Sequence, residues 1–274
     1  MNAELPANRR LTAALSDCAG AAIAVSGGVD SMTLASFAHR MLGTGEIGMV
    51  HAVSPAVPPA ATARVTSQAD TEGWNLRIVD AGEFADERYR ANPVDRCFFC
   101  KTNLYGTLSA LSGGLVLSGT NTDDLGDYRP GLAAAADHGV RHPFVEAGVD
   151  KAGVRALARR LGLPEIAALP ASPCLSSRVE TGIRIEADTL ALVDAIEVWL
   201  REALGPETAR CRVRPQGFFV ELDADTLARL GSEGRAQVIR AVRERFPGVA
   251  GHAFSIRAYR RGSAFIGDKQ AASA

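Results

Sequence analysis

Residues 26–31, Ser-Gly-Gly-Val-Asp-Ser, combine the residue types that an anion-binding loop needs. They follow the apolar run 21–25, which predicts a buried strand, and they precede residues 32–38, which predict a helix. Gly27 and Gly28 allow a tight turn that directs backbone N–H groups toward a ligand. The positive end of the helix dipole lies at the same place. The segment therefore predicts an anion site at a helix N-terminus.

The side chains of this loop suit a nucleotide and its metal ion. Ser26 and Ser31 can donate hydroxyl hydrogen bonds, and Asp30 can orient Mg²⁺. No Gly-Lys-Ser/Thr sequence ends the segment, so it is not a Walker loop. It resembles the pyrophosphate loop (PP-loop) of the ATP pyrophosphatases, which cleave ATP to AMP and pyrophosphate and adenylate a substrate.

The cysteines are five, an odd number, and the first residues lack the basic and then apolar segments of a secretion signal. Together these features predict a reducing compartment and cysteines that serve in metal binding or catalysis. Cys97 and Cys100 have the spacing that can hold one metal ion or close a redox disulfide. Cys174 follows two prolines that hold the segment extended, and a nearby arginine favours its thiolate. Cys18 and Cys211 match no motif and are predicted to be packing residues.

Strand and helix signals alternate over the first part of the chain, which predicts an α/β fold with a doubly wound parallel sheet. The predicted strands are 21–25, 47–53, 75–80 and 114–119, and the predicted helices are 32–38, 55–73, 101–111 and 151–161. Ligands of such folds bind at the carboxyl ends of the strands. The loops after Val25, Val53 and Leu117 are therefore expected to share one cleft. The polar segment 119–131, with Asp123, Asp124, Asp127 and Arg129, belongs to this cleft.

The pattern changes after about residue 185, which predicts two domains, 1–185 and 186–274. The second has helix signals at 187–204, 224–231 and 233–246 and strand signals at 209–214, 218–222 and 252–260, so a smaller α+β domain is expected. Because side chains alternate along a strand, Arg212 and Arg214 are expected to share one face. Arginine pairs suit a bidentate phosphate contact.

The overall composition argues against several kinds of partner. A formal net charge of −1 gives no reason to expect nucleic acid. No run of about 18 apolar residues predicts a membrane span. The chain has 274 residues, of which 47% are hydrophobic, so a sizeable core is available. We expect a cytoplasmic homo-oligomer that acts on a small molecule.

Five segments, in their order along the chain, are similar to the LarE family. They are Ser-Gly-Gly-Val-Asp-Ser (26–31), Asp-Arg-Cys-x-x-Cys-Lys (95–101), Gly-Thr-Asn-x-Asp-Asp-x-x-Asp-Tyr-Arg-Pro-Gly (119–131), Pro-Phe-Val-Glu-Ala-Gly-Val-Asp-Lys (143–151) and Pro-Ala-x-x-Cys-Leu-x-Ser-Arg (170–178). The similarity covers about residues 15–265. It implies a PP-loop ATP pyrophosphatase domain of the adenine nucleotide alpha-hydrolase type.

The LarE family makes the nickel-pincer nucleotide cofactor of lactate racemase. The resemblance implies that ATP and Mg²⁺ adenylate a carboxylate of pyridinium-3,5-dicarboxylate mononucleotide, which a sulfur donor then converts to a thiocarboxylate. Adenylation suits this chemistry, because a carboxylate is a poor electrophile until AMP becomes its leaving group. Mg²⁺ and basic groups would offset the charge of two anionic reactants.

The family supplies sulfur in two ways. Some members sacrifice one cysteine, which becomes dehydroalanine, and these lack the Cys-x-x-Cys pair. Others hold a 4Fe–4S cluster on three cysteines, with an extra sulfide on the fourth iron. The presence of Cys97, Cys100 and Cys174 favours a cluster of this second kind. Cys174 also has the position of the sacrificial cysteine, so the sacrificial route stays open.

The resemblance and the loop positions together assign residues to roles. The ATP-binding residues are Ser26, Gly27, Gly28, Asp30, Ser31, Val53, Gly119, Asn121 and Asp124. The catalytic residues are Asp30, Cys174, Ser176 and Arg178. The residues that bind the substrate phosphate are Arg212, Arg214 and Arg260, and the metal ligands are the three cysteines.

The chain also departs from the family pattern in 179–182, at Gln216 and in 264–265, all on the substrate side. A tRNA thiolase would share the loop and the cysteine trio, but it usually has zinc-binding cysteines or RNA-binding domains that this chain lacks. An ammonia-using amide ligase would leave the trio unexplained. A nucleotide-binding or iron–sulfur sensor module is the non-enzyme alternative, and it would not release pyrophosphate.

Overall fold

The computed structural model describes residues 5–43, 45–126, 129–260 and 262–264. The chain divides into two units: unit 1 is Met1–Asp86 with Asp95–Ser172, and unit 2 is Glu87–Val94 with Pro173–Ala274. The domain boundary after residue 185 stays a prediction.

The described residues form seven strands and eleven α-helices. The strands are β1 (Ala22–Ala24), β2 (Gly48–Ala52), β3 (Leu76–Val79), β4 (Val116–Leu117), β5 (Ala209–Arg214), β6 (Gly217–Leu222) and β7 (Ala253–Ala258). The helices are α1 (Leu5–Leu15), α2 (Val29–Leu42), α3 (Pro59–Glu72), α4 (Glu87–Arg90), α5 (Arg96–Ser112), α6 (Pro130–Asp137), α7 (Pro143–Glu146), α8 (Lys151–Arg160), α9 (Pro164–Ala168), α10 (Ala187–Leu204) and α11 (Ala224–Arg245).

A four-stranded parallel sheet in the order β3-β2-β1-β4 forms the centre of unit 1. From β1 the chain adds β2 and β3 on one side and then returns to place β4 on the other. The strand order therefore reverses between β1 and β4, and the carboxyl ends of strands at such a point are where open α/β sheets bind ligands.

Buried side chains alternate between the two faces of this sheet. Ile23, Met49 and Leu117 pack on one face with residues of α2, α3 and α8. Their neighbours Val50 and Val116 pack on the other face with residues of α5 and α6. A sheet that is apolar on both faces needs helices on both. The predicted α/β class with a doubly wound parallel sheet is confirmed.

Unit 2 contains a three-stranded mixed sheet, in which β6 pairs antiparallel with β5 and parallel with β7. α10 packs against β5, and α11 packs against β7. Gly217 begins β6 with a φ of 140°, and a Cβ there would lie 2.2 Å from the Ala253 carbonyl oxygen, so only glycine fits. This confirms the smaller α+β unit.

The structure differs from the predicted elements in where some helices begin, and α2 begins at Val29 rather than at residue 32. α5 begins at Arg96, so the Cys-x-x-Cys pair lies on a helix whose start was predicted at residue 101. The break predicted between helices 224–231 and 233–246 is confirmed, because α11 consists of two helical segments that meet at a kink at Gly231. Residues 87–94 belong to unit 2, where Asn92 Nδ2 donates to the carbonyls of Glu180 at 2.9 Å and Ile183 at 2.8 Å.

In the described part of the chain, no helix is both long enough and apolar enough to cross a membrane.

Candidate active site

The loop between β1 and α2 leaves hydrogen-bond donors open for an anion. α2 begins at Val29, Gly28 is its N-cap, and no side chain caps it. The N–H groups of Val29, Asp30 and Ser31 have no acceptor among the residues that the structure describes. Ser31 Oγ accepts from the Ser26 N–H at 3.0 Å and donates to the Gly28 carbonyl at 3.2 Å, which fixes the turn. Uncapped amides at the positive end of a helix form an anion site.

Two glycines allow other segments to approach this loop closely. Gly27 has a φ of 80°, and a Cβ on it would lie 2.8 Å from the Ala61 carbonyl oxygen of α3. A Cβ on Gly119, in the loop after β4, would lie 2.7 Å from the Ser31 nitrogen. Neither gap accommodates a side chain. The loop is thus held between α3 and the segment that follows β4.

Asp30 lies in a network of charged and polar side chains at the start of α2. Its carboxylate pairs with Lys151 Nζ at 2.5 Å and accepts from Asn121 Nδ2 at 3.2 Å. The Lys151 backbone N–H donates to Asp123 Oδ2 at 3.3 Å. Asp30 thus has a cation and an amide as partners, and Mg²⁺ sites are usually built from one or two carboxylates together with substrate phosphates.

The other predicted ATP-site residues of unit 1 lie at the ends of the neighbouring strands. Val53 follows β2, and its N–H donates to the Val79 carbonyl at 2.8 Å. Asp124 accepts the Asn121 N–H at 3.1 Å and pairs with Arg129 at 2.8 Å. Asp127 lies outside the described residues. The loops after β1 and β4 meet at Ser31 and Gly119. The cleft shared with the loop after Val53 and the ATP-binding roles of these residues stay predictions.

His51 connects the base of the loop to α3. It is 1% exposed, and its Nδ1 donates to the Val25 carbonyl at 2.7 Å. Because that carbonyl can only accept, Nε2 of the neutral ring accepts from Thr62 Oγ1 at 2.9 Å. Burial lowers the pKa of His51 below its usual value of 6.5.

This pKa predicts a loss of stability in acid. Unfolding lets His51 take up a proton that the folded state resists, so its contribution is complete above about pH 6.5 and declines as the pH falls. As the pH is lowered from 6.5 to 5, the free energy of unfolding should therefore fall less steeply for His51→Gln than for the wild-type protein. The largest difference one group can make is about 1.4 kcal/mol per pH unit. Urea denaturation at a series of pH values measures it, and parallel curves for the two proteins would contradict the assignment.

The Cys174 loop of unit 2 is held by a buried arginine. Cys174 is exposed and precedes the 3₁₀ turn Leu175–Arg178. Arg178 Nη1 donates to the carbonyls of Pro173 at 2.7 Å and Cys174 at 3.2 Å. Its Nε and Nη2 each donate to a carboxylate oxygen of Glu197 at 2.9 Å. Arg178 is therefore a positioning residue for the backbone that presents the thiol.

Other side chains complete this arrangement. Burial disfavours the charge of Arg178, but the hydrogen bonds and charge of Glu197 outweigh it and raise the pKa of Arg178. Glu197 also accepts the Cys211 N–H at 2.9 Å, which links the loop to β5. Ser176 is fully buried, with its hydroxyl 2.6 Å from that of Tyr89. The catalytic role assigned to Ser176 stays a prediction.

Breaking the Arg178–Glu197 pair should destabilise unit 2 strongly, since the side chains of its members are only 3% and 1% exposed. Glu197→Gln leaves a buried guanidinium without its counterion, and about 3 kcal/mol of unfolding free energy should be lost. The double variant Arg178→Met/Glu197→Leu should recover most of it. Glu202→Gln, an exposed change on the same helix, is the control in urea denaturation. A Glu197→Gln effect no larger than that of the control would contradict this prediction.

Arg212 and Arg214 share one face of the unit 2 sheet, as predicted, but both are already engaged. Arg212 Nε pairs with Glu221 at 2.9 Å, and Arg214 lies 3.8 Å from the same carboxylate. Arg214 also pairs with Glu180 at 2.7 Å. Arg260 is exposed. The phosphate-binding role of all three arginines stays a prediction.

Sequence reasoning assigned no role to four residues of these sites: His51, Tyr89, Lys151 and Glu197. Lys151 is the last residue of segment 143–151, and the similarity of that segment to the LarE family was the one sequence signal for this lysine. Glu197 lies on α10 among the buried positions of Val193, Ile196 and Leu200. A carboxylate in an apolar stripe predicts a buried cation partner, so this pattern could have revealed it.

Comparison with known proteins bears on what this site does. No family model matches the chain. It is 39% identical over 211 residues to an uncharacterized protein of Synechocystis sp., and the aligned region covers 76% of the chain and 78% of that protein. It is 33% identical over 216 residues to pyridinium-3,5-bisthiocarboxylic acid mononucleotide synthase of Lactiplantibacillus plantarum. That aligned region covers 77% of the chain and 78% of the synthase. The chain belongs to the LarE family. It is therefore an enzyme.

Membership of the LarE family raises the question of a metal cluster. Cys97 and Cys100 lie one turn apart on α5 in unit 1, both partly exposed, whereas Cys174 is in unit 2. Among the residues that the structure describes, no group of three or more His, Cys, Asp or Glu side chains is placed to hold a metal ion. Three thiols fit a 4Fe–4S cluster in number and in donor chemistry. The cluster stays a prediction.

Proposed function

We propose that this LarE family enzyme is an ATP-dependent sulfur transferase. It adenylates a carboxylate of pyridinium-3,5-dicarboxylate mononucleotide and converts it to a thiocarboxylate. Two rounds give the dithio product named in the Lactiplantibacillus relative. The observation that carries the proposal is the uncapped Gly-rich loop of unit 1, in a chain that is 33% identical to that synthase.

The activation step uses the residues of unit 1. The open N–H groups of Val29, Asp30 and Ser31 receive ATP phosphates at the positive end of α2. Lys151 pairs with Asp30 at 2.5 Å and holds its carboxylate in place, and Asp30 contributes one ligand to the Mg²⁺ that accompanies ATP. A substrate carboxylate oxygen bonds to the α-phosphorus, and pyrophosphate leaves with the electron pair of the broken P–O bond. The product of this step is an acyl adenylate.

The sulfur step uses the exposed Cys174 of unit 2. In the sacrificial route its thiolate attacks the acyl carbon and AMP leaves. A base then removes the Cα proton of residue 174, the Cβ–S bond breaks, and its electron pair leaves with the thiocarboxylate, so that residue 174 becomes dehydroalanine. In the alternative that we favour, Cys97, Cys100 and Cys174 hold a 4Fe–4S cluster, which supplies a bound sulfide when present. Arg178 holds the backbone on both sides of the thiol in either route.

The substrate is a nucleotide, so its phosphate needs a cationic site. Arg212 and Arg214 lie on one face of the unit 2 sheet, and the Nε of Arg214 is buried without a hydrogen-bond partner among the described residues. A phosphate would share these guanidinium groups with Glu221 and Glu180, and the exposed Arg260 would add a third charge.

An anaerobic assay with ATP, Mg²⁺, sulfide and the dicarboxylate mononucleotide tests the function, with mass spectrometry of the small molecules and of the chain. We expect AMP, pyrophosphate and a thiolated product. A cluster donor gives many turnovers and leaves Cys174 intact, whereas the sacrificial donor gives one sulfur per chain and a dehydroalanine. A Cys97→Ser variant that keeps multiple turnovers would exclude the cluster. No pyrophosphate release with this or any related carboxylate would favour a binding or sensor module.

A further inference from the structure

Arg64 places its guanidinium against the loop between β1 and α2. It lies on α3, one turn beyond Ala61, the residue that packs against Gly27. Its Nη1 donates to the Gly27 carbonyl at 2.7 Å. The residue is partly buried, and that burial lowers its pKa. The guanidinium is therefore held in place at the turn that precedes the uncapped end of α2.

Among the residues that the structure describes, none neutralises the charge of Arg64. Within the described ranges no carboxylate lies in salt-bridge distance of it, and its Nε and Nη2 donate to no protein acceptor. Lys151, on the other side of the loop, is paired with Asp30. A partly buried cation without a counterion is costly, and an arriving anion removes that cost. The two remaining donor positions form the fork that matches phosphate oxygens.

We propose that Arg64 binds the β- and γ-phosphates of ATP and retains the pyrophosphate as it leaves. The inference rests on the proposed adenylation. As the carboxylate oxygen bonds to the α-phosphorus, the bond from that phosphorus to the bridging oxygen breaks, and its electron pair stays with pyrophosphate. Negative charge grows on the leaving group during this step. A fixed cation there stabilises the transition state more than the ground state.

A simpler role would be to anchor the loop through the Gly27 carbonyl. The two roles predict different effects of losing Arg64 on the binding of AMP and of pyrophosphate. A loop anchor supports every contact of the loop, so its loss weakens AMP and pyrophosphate alike and lowers the melting temperature. A pyrophosphate ligand leaves the affinity for AMP nearly unchanged.

Calorimetric titration of the full chain with magnesium pyrophosphate and, separately, with AMP distinguishes these roles. Arg64→Gln should weaken pyrophosphate binding about ten- to a hundredfold, as expected for loss of charged hydrogen bonds, and AMP binding by less than about twofold. Arg64→Lys should restore part of the loss, because it returns the charge without the fork. Arg77→Gln, an exposed change on β3, is the control.

Three results would overturn the proposal. Unchanged pyrophosphate affinity in Arg64→Gln would exclude the contact. Equal weakening of AMP and pyrophosphate with a lowered melting temperature would assign Arg64 to loop anchoring alone. If the wild-type chain binds neither ATP nor pyrophosphate, adenylation itself is wrong, and the role of Arg64 fails with it.

Discussion

Replacing Cys174 with alanine should abolish sulfur transfer while ATP activation continues. Both sulfur routes need this thiol, as the donor or as a cluster ligand, and it is the exposed residue that Arg178 positions. Loss of an essential nucleophile should lower thiolated product at least about 1,000-fold. Exchange of labelled pyrophosphate into ATP, which reports adenylation alone, should stay within about threefold of wild type, because that step uses unit 1 residues.

Ser172→Ala is the matched control for this variant, since it removes an exposed side chain close to the same loop. It should keep both activities. Thiolated product from Cys174→Ala at the wild-type rate would remove Cys174 from the mechanism. Simultaneous loss of pyrophosphate exchange would show instead that the thiol is required before sulfur delivery.

Replacing Gly119 with alanine should disable the ATP site. The new Cβ would lie 2.7 Å from the Ser31 nitrogen and 2.8 Å from the Asp30 carbonyl carbon, so the start of α2 must move. A displacement near 1 Å at a reacting centre can cost about 100-fold in rate, and we expect pyrophosphate release to fall by at least that factor. Overpacking should also cost about 1–3 kcal/mol of stability.

Gly126→Ala is the control, because a Cβ there meets nothing within 4 Å. It should change stability by less than about 0.5 kcal/mol and leave pyrophosphate release intact. Circular dichroism establishes whether Gly119→Ala is folded. A folded variant with normal pyrophosphate release would show that the contact between this loop and α2 is not needed for activation.

The loop between β1 and α2 could be predicted from sequence because its determinants are local. A strand, two glycines and a helix follow one another directly, although α2 begins at Val29, three residues before its predicted start. The doubly wound sheet was equally accessible, since its strands are short, mostly apolar runs between helical stretches. The start of α5 was placed five residues late, because the aromatic pair Phe98-Phe99 is a weak helix signal.

The partners of the charged side chains could not be predicted, because they depend on tertiary packing. Arg178 and Glu197 are 19 residues apart in the chain and meet only when α10 packs beside the Cys174 loop. Arg64 reaches Gly27 only because α3 lies against the loop, 37 residues away. Arg212 and Arg214 were correctly placed on one face, but their pairing with Glu221 has no signal in the local pattern.

The central claim is that ATP activates a carboxylate of the substrate, and isotope transfer tests it most directly. The dicarboxylate mononucleotide is labelled with ¹⁸O in its carboxylates and incubated anaerobically with the enzyme, ATP, Mg²⁺ and sulfide. Because the acyl carbon keeps one oxygen and the other departs with the leaving group, each AMP formed should carry one ¹⁸O. Pyrophosphate should carry none. Thiolated product accompanied by unlabelled AMP, or by label in pyrophosphate or inorganic phosphate, would contradict the account.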